Sequence, residues 1–199
     1  MPDSASLWER SRQAAYAEIT AVAMRLFLDQ GFEQTTIDQI AATAGISRRS
    51  FFRYFGTKED VVLGDLARDG ERVREALEAV PVTTGPWEAL REALAAVDAL
   101  TGDRETMLRV ATMMYETPSL RSRSIEKHLH WQELLVPDVR ARLEHAGHDA
   151  AGAAVAATAI VASAIACLDV AGEQWTRSGG IGDLAALYDT AVAAVRSAA

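Results

Sequence analysis

Between Gly31 and Lys58 the sequence starts and stops a helix twice in quick succession, and this punctuation constrains the fold more than any other stretch. Thr36 precedes Ile37, Ile40, Ala41 and Ala44 at helical spacing, and Gln39 lies three residues after Thr36, the pattern of a capping box. Gly45 then permits a tight turn, Ser47 can accept a hydrogen bond from the free amides of a new helix, and Arg48 to Phe55 follow. Thr57 caps a fourth helix beginning at Lys58. Two short helices joined by a glycine turn make a helix-turn-helix between Thr36 and Phe55, a unit that reads DNA when its second helix lies in the major groove.

The remainder reads as helix throughout. Ile19, Val22, Ala23, Leu26 and Phe27 repeat at three-four spacing within a first helix from about Leu7 to Gln30, and Gly31 supplies its stop. The fourth helix reaches about Val80, since Val62, Leu66, Val73 and Leu77 keep register before Pro81, Gly85 and Pro86. Amphipathic stretches follow at about Trp87 to Leu100, Arg104 to Tyr115, Pro118 to Ala146, Ala150 to Arg177 and Ile181 to Ser197. Pro118 suits a first helical turn, whereas Pro137 predicts a kink or break near Val136. No strand alternation occurs, so the expected fold is all-α, with about nine helices.

Charge separates along the chain. The net charge of −8 disfavours a polyanion partner, yet residues 61–199 carry 13 Lys or Arg against 20 Asp or Glu, nearly all of that excess. Between Gln39 and Lys58 there are four basic residues and no acidic one, the local footprint of a DNA-facing element. Arg48 and Arg49 occupy the first turn of the second short helix. There an arginine can donate two parallel hydrogen bonds to guanine O6 and N7, a contact worth about 1 to 3 kcal/mol of discrimination. Ser50 can add a polar contact and Phe52 an apolar one to a thymine methyl, while the spacing of Phe51 and Phe55 turns them towards the first two helices.

These residues resemble the TetR regulators, whose DNA-binding segment has the same order of features. The resemblance covers roughly 50 residues and is carried by G-F-E-Q-T-T-I-D-Q-I-A from Gly31, A-G-I-S from Ala44, F-F-R-Y-F from Phe51 and T-K-E-D from Thr57. It implies a helix-turn-helix domain over 1–58 and an effector-binding and dimerisation domain over 59–199. It also implies base contacts from Arg48, Arg49, Ser50 and Phe52, and phosphate contacts from Thr35, Arg53, Tyr54 and Lys58. Position 52 is often tyrosine in the family; phenylalanine here removes a hydroxyl contact. The run S-R-R-S-F-F-R-Y-F further resembles actinobacterial members related to mycofactocin-system regulators, which implies an acyl-CoA effector.

By the same resemblance the chain is a repressor that binds a pseudo-palindromic operator in double-stranded DNA as a homodimer through its eighth and ninth helices. A small apolar or amphipathic effector would release it, the fourth helix carrying a pendulum-like movement of the DNA-binding heads. Ala153, Ala156, Ala157, Ala159, Ala162, Ala164 and Ala166 make the eighth helix small-faced, which lets another helix approach closely. Met107, Val110, Met113, Met114, Trp131, Leu134, Leu135 and Cys167 are candidates to line the effector pocket, being adaptable thioethers and large apolar groups. His128 and His130 fall on different helix faces, and His145 and His148 flank Gly147 at a helix end, so all four are expected to be solvated and no metal site is expected.

Two other function classes fit less. An all-helical enzyme lacks support, because no G-x-S-x-G, H-E-x-x-H, P-loop or dinucleotide fingerprint occurs, and Gly179, Gly180 and Gly182 suit an interhelical loop. A protein-binding adaptor would leave Arg48, Arg49, Arg53 and Lys58 with no polyanion to meet. The single Cys167 excludes an internal disulfide. No secretory signal is evident at the start, and the apolar run Ala150 to Val161 is too short to span a bilayer, so a cytoplasmic protein without a cofactor or a membrane partner is expected.

Overall fold

The computed structural model describes residues 7–98 and 103–197. All secondary structure among them is helical: α1 (Leu7–Gln30), α2 (Ile37–Thr43), α3 (Arg48–Tyr54), α4 (Glu59–Ala79), α5 (Pro86–Asp98), α6 (Arg104–Glu116), α7 (Pro118–His145), α8 (Ala150–Arg177) and α9 (Leu184–Ser197). The expected end of the fifth helix at Leu100, the chain start read for a secretory signal at residues 1–6, and the side chain of Leu66 lie outside the described residues.

Local chemistry sets most boundaries. At Gly31, with φ +92°, the amide still bonds back to Phe27 at 3.0 Å and the chain leaves the α1 axis. Thr57 and Asp60 cap α4 reciprocally: Asp60 N–H donates to Thr57 Oγ1 at 3.2 Å and Thr57 N–H to Asp60 Oδ2 at 3.0 Å. Thr57 is thus part of the cap as expected, with the helix starting one residue later, at Glu59. The break expected near Val136 is absent, and α7 continues through Pro137. Pro137 is exposed, and the burial of Trp131 and Leu135 before it and Val139 and Leu143 after it holds both halves in one register.

Two apolar clusters organise these helices. The first joins Ile19, Ala23 and Phe27 of α1 to Phe32, Ile40, Phe51 and Phe55, and is closed by Val61 and Leu63 of α4 and Leu120 of α7. The core under the helix-turn-helix therefore extends beyond residue 58. The second cluster is built from Val73 and Leu77 of α4, Ala89 and Leu90 of α5, Trp131, Leu135 and Val139 of α7, and the inner face of α8. At the far end of α4, buried Arg142 donates to the carbonyls of Leu77, Val80 and Pro81 at 2.7, 3.0 and 2.6 Å and to Asp138 at 2.6 Å. A cation there satisfies the orphan carbonyls that every helix C-terminus leaves.

α8 corrects the sequence reading of its apolar run. The helix spans Ala150–Arg177 as expected, but its apolar character does not end at Val161: over its most apolar 18-residue window the mean hydropathy is 2.1, so by length and composition it could cross a membrane. In this fold it packs against α7 and α9. Its inner face buries Ala153, Ala157, Val161, Ala164 and Ala171. Ala159 and Ala166 lie instead on the exposed side, in line with Val155 and Val170. The alanines thus divide between two faces instead of forming one.

Candidate nucleic-acid interface and effector cavity

The α2–α3 unit is locked by its own caps. Thr36 Oγ1 accepts from Gln39 N–H at 3.2 Å while Gln39 Oε1 accepts from Thr36 N–H at 2.8 Å, completing the capping box. After α2, Gly45 takes φ +67° and donates to Ala42 O, and Ile46 donates to Ala41 O at 2.9 Å, the paired closure of a Schellman turn. Ser47 Oγ then accepts from Ser50 N–H at 3.0 Å and starts α3. Phe51 and Phe55 are buried against α1 and α2, as their spacing predicts.

Their burial fixes what α3 shows to solvent. Arg48, Arg49, Phe52 and Arg53 are exposed, and Ser50 is half-buried with its hydroxyl 3.0 Å from that of Ser47. Ser47, Arg49, Ser50, Phe52 and Arg53 line one shallow depression. Phe52 is 45% exposed, a large apolar ring left without a core to enter. Arg48 Nη1 donates to both carboxylate oxygens of Asp38, at 3.0 and 3.2 Å, and its Cζ lies 5.7 Å from the Phe52 ring centroid. Asp38 sits in the first turn of α2, one position before the acid-free window read from the sequence, and went unnoticed there. The Arg53 guanidinium lies over the half-buried Tyr54 ring at 5.3 Å.

Two phosphate candidates are turned inwards. Thr35 is 1% exposed, and its hydroxyl donates to Gly31 O at 2.8 Å while accepting from Gln30 Nε2 at 3.1 Å, so its side chain ties the α1–α2 loop. Lys58 Nζ donates to the carbonyls of Phe32 and Thr35 at 2.9 and 3.4 Å and lies 4.4 Å from the Phe32 ring centroid. Its side chain is 20% exposed and 3.9 Å from Glu33. The cation at the α4 N-terminus does find partial and full negative charge, but within the protein.

The effector candidates are likewise redistributed. A cavity of about 190 Å³ opens between α6, α7 and α8, lined by Met114, Tyr115, Arg121, Ser124, Ile125, His128, Leu168 and Asp169. Of the expected lining only Met114 is present. Trp131, Leu135 and Cys167 are buried in the second core cluster, where burial also pushes the Cys167 thiol up. Met113 packs against the first cluster, and Met107, Val110 and Leu134 are half-buried away from the cavity. Large apolar groups at helical spacing went to the core because that is where a helix buries its apolar stripe.

The polar lining was missed for the converse reason. His128 is 8% exposed, not solvated, and its Nδ1 lies 3.1 Å from Asp169 Oδ2. It continues the buried stripe of Leu120 and Ser124 at four-residue intervals, the one signal that could have found it. Burial, then the Asp169 and Glu173 carboxylates, raise the Tyr115 phenol to about 12. The Arg121 guanidinium, bonded to Glu173 at 3.1 Å, holds that carboxyl below its usual range. Gly172 leaves room for this arrangement, since a Cβ there would collide with the Tyr115 hydroxyl.

Residues 19–64 match the family model of bacterial regulatory proteins of the TetR type, and residues 84–199, more than half of the chain, match the MftR C-terminal domain. The chain belongs to the TetR family. It is 35% identical over 89 residues to the HTH-type transcriptional regulator TcmR of Streptomyces glaucescens, a match covering 45% of this chain and 39% of that protein's length. It is 31% identical over 131 residues to the HTH-type transcriptional repressor AcnR of Corynebacterium diphtheriae, covering 66% and 64%. In fold it is similar to the crystal structure of Thermus thermophilus FadR, a TetR-family repressor in complex with lauroyl-CoA, with a TM-score of 0.59 at 22% identity over 89% of this chain and 91% of that one.

In this TetR-family chain the cavity and the helix-turn-helix share structural parts. Met114 lines the cavity and also packs against the first cluster. One face of α6 sends Arg109 to Leu28 O at the end of α1, at 2.7 Å. From α7, which supplies Ser124 and His128 to the cavity, Lys127 reaches Leu63 O at 2.6 Å and Arg123 approaches Asp60 at 3.5 Å, both in the first turns of α4.

Proposed function

We propose that the chain is a dimeric, ligand-responsive transcriptional repressor that binds a pseudo-palindromic operator through α3. The observation that carries this reading is the sidedness of α3: its two inward phenylalanines are in the core, and its outward face holds three arginines and an apolar ring. A surface of that kind, without a carboxylate of its own, suits a major groove. Arg48, Arg49, Ser50 and Phe52 would meet bases. Arg53 and Tyr54 would grip phosphate, with Thr35 and Lys58 holding the loop that sets the angle of α2. The regulatory names of TcmR and AcnR accord with this assignment.

Dimerisation through α8 and α9 is supported by the exposed line of Val155, Ala159, Ala166 and Val170 on α8, the helix against which α9 packs. Small side chains allow close helix approach, and an isologous pair would present two copies of α3 to an operator about one DNA turn apart. The effector would enter the α6–α7–α8 cavity. At about 190 Å³ it lies below the usual range for drug-sized ligands, which suits a small amphipathic molecule; an acyl-CoA would need it to widen. An effector that binds the widened form better would shift the equilibrium through the shared contacts of α6 and α7 by its difference in affinity for the two states.

Fluorescence anisotropy with duplex DNA flanking the protein's own gene tests the reading. Tight binding that weakens steeply with salt, and exceeds binding to an unrelated duplex of equal length, is the expected result. Equal affinity for both duplexes would sink it.

A further inference from the structure

Asp38 is out of place on a surface that meets a polyanion. It is the one carboxylate between Gln34 and Lys58, its side chain is 65% exposed, and it stands beside α3. Folding explains it only in part, through the favourable meeting of a carboxylate with the N-terminal dipole of α2. Thr36 and Gln39 already cap α2, and an exposed ion pair adds little to stability. Its carboxylate would repel every DNA backbone alike.

What Asp38 does do is hold one nitrogen of one arginine. Arg48 Nη1 carries two hydrogens, and the two oxygens of Asp38 lie 3.0 and 3.2 Å from it. The Nε and Nη2 hydrogens remain, and that edge is a fork able to meet guanine O6 and N7. Phe52, one turn further along α3, flanks the guanidinium on another side, its ring centroid 5.7 Å from Cζ. The neighbouring Arg49 has no ion-pair partner among the described residues. Of the two arginines among the candidate base readers, Arg48 is oriented before DNA arrives and Arg49 is not.

Resting on the DNA-binding reading above, we propose that Asp38 is a specificity-determining positioning residue that presents the Arg48 fork to a single guanine in each half-site. An arginine already held in place loses less rotamer freedom on making a base contact. The repulsion from Asp38 falls on all sequences equally, whereas the orienting gain is realised only where a guanine matches. Asp38 therefore lowers affinity for DNA in general and raises the ratio between right and wrong sequences.

The test is selection of bound DNA from a pool of duplexes with a randomised core, followed by sequencing, for wild type, Asp38→Ala, Asp38→Asn and Arg48→Ala. Wild type should enrich a motif with one guanine position whose preference, about tenfold or more, disappears in Arg48→Ala. Asp38→Ala and Asp38→Asn should relax preference at that same position, leave the other positions intact and bind a non-specific duplex several-fold more tightly, a gain that a merely misfolded variant would not show. An unchanged motif in both Asp38 variants overturns the proposal. So does relaxation at a different position, which would make Asp38 a base reader itself. If wild type enriches no motif, the DNA-binding reading fails and this one with it.

Discussion

Arg142 has five N–H donors, and all five face acceptors: Asp138 and the carbonyls of Leu77, Val80, Pro81 and Thr84. Replacing it with Met strips a donor from Asp138 and from each of these carbonyls, leaving Leu77 O and Pro81 O only the amides of Val80 and Thr84, so Arg142→Met should cost about 3 to 5 kcal/mol, read as a lower urea midpoint with an unchanged slope. Lys58 invites a second test, because its inward hydrogen bonds make it part of the fold as well as of the DNA-facing region. Lys58→Met should lower stability by about 1 to 2 kcal/mol in the absence of DNA. A variant that melts like wild type and only binds DNA less well would return Lys58 to the phosphate role. Neither arginine nor lysine announces such a task in the sequence, where Arg142 looks like its neighbour Arg140.

Among the elements, the caps were legible and the contacts between helices were not. Asp149 accepts from the amides of Gly152 and Ala151 at the start of α8, and those bonds hold its carboxyl below the usual range. A carboxyl depressed on folding stabilises the protein above its ordinary pKa, and that contribution is lost as pH falls through the folded value. The melting-temperature gap between wild type and Asp149→Ala should therefore be full near neutrality and close as pH drops below about 4. Gly70 shows what no cap reveals. A Cβ there would lie 2.5 Å from the Trp131 indole, so the ring of α7 can lie against α4 at this point because residue 70 has no side chain. Gly70→Ala should destabilise by about 1 to 3 kcal/mol despite its better helix propensity, a sign that thermal melts will read directly.

For the whole molecule, the proposed function divides into an interface and a coupling that can be broken separately. Val155→Asp places a charge on the exposed apolar line of α8 and should convert a dimer to a monomer in sedimentation equilibrium, with loss of operator affinity but little loss of helix. Arg109→Ala removes the α6 link to the end of α1. Operator affinity should then stay close to wild type while the loosening caused by a saturating effector shrinks several-fold, within the usual 1 to 3 kcal/mol scale of coupling energies. Unchanged effector response in that variant would mean that the signal travels through Met114 and α7 instead.

Apart from the continuation of α7 through Pro137, the local punctuation was decided by the sequence alone. The capping box at Thr36, the turn at Gly45, the cap at Ser47 and the inward Phe51 and Phe55 each depend on residues within about one turn of one another, a range over which spacing dictates geometry. From those, the helix-turn-helix and its outward arginines followed. Tertiary structure decided which partners those side chains keep. It set Asp38 against Arg48, turned Lys58 inwards, split the α8 alanines between two faces and gave the cavity Tyr115, Arg121, His128 and Asp169 while sending Trp131, Leu135 and Cys167 to the core. The spacing of residues along a helix gives their direction, but whether that direction ends in core, cavity or solvent depends on where distant helices lie, and that is a property of the packed chain.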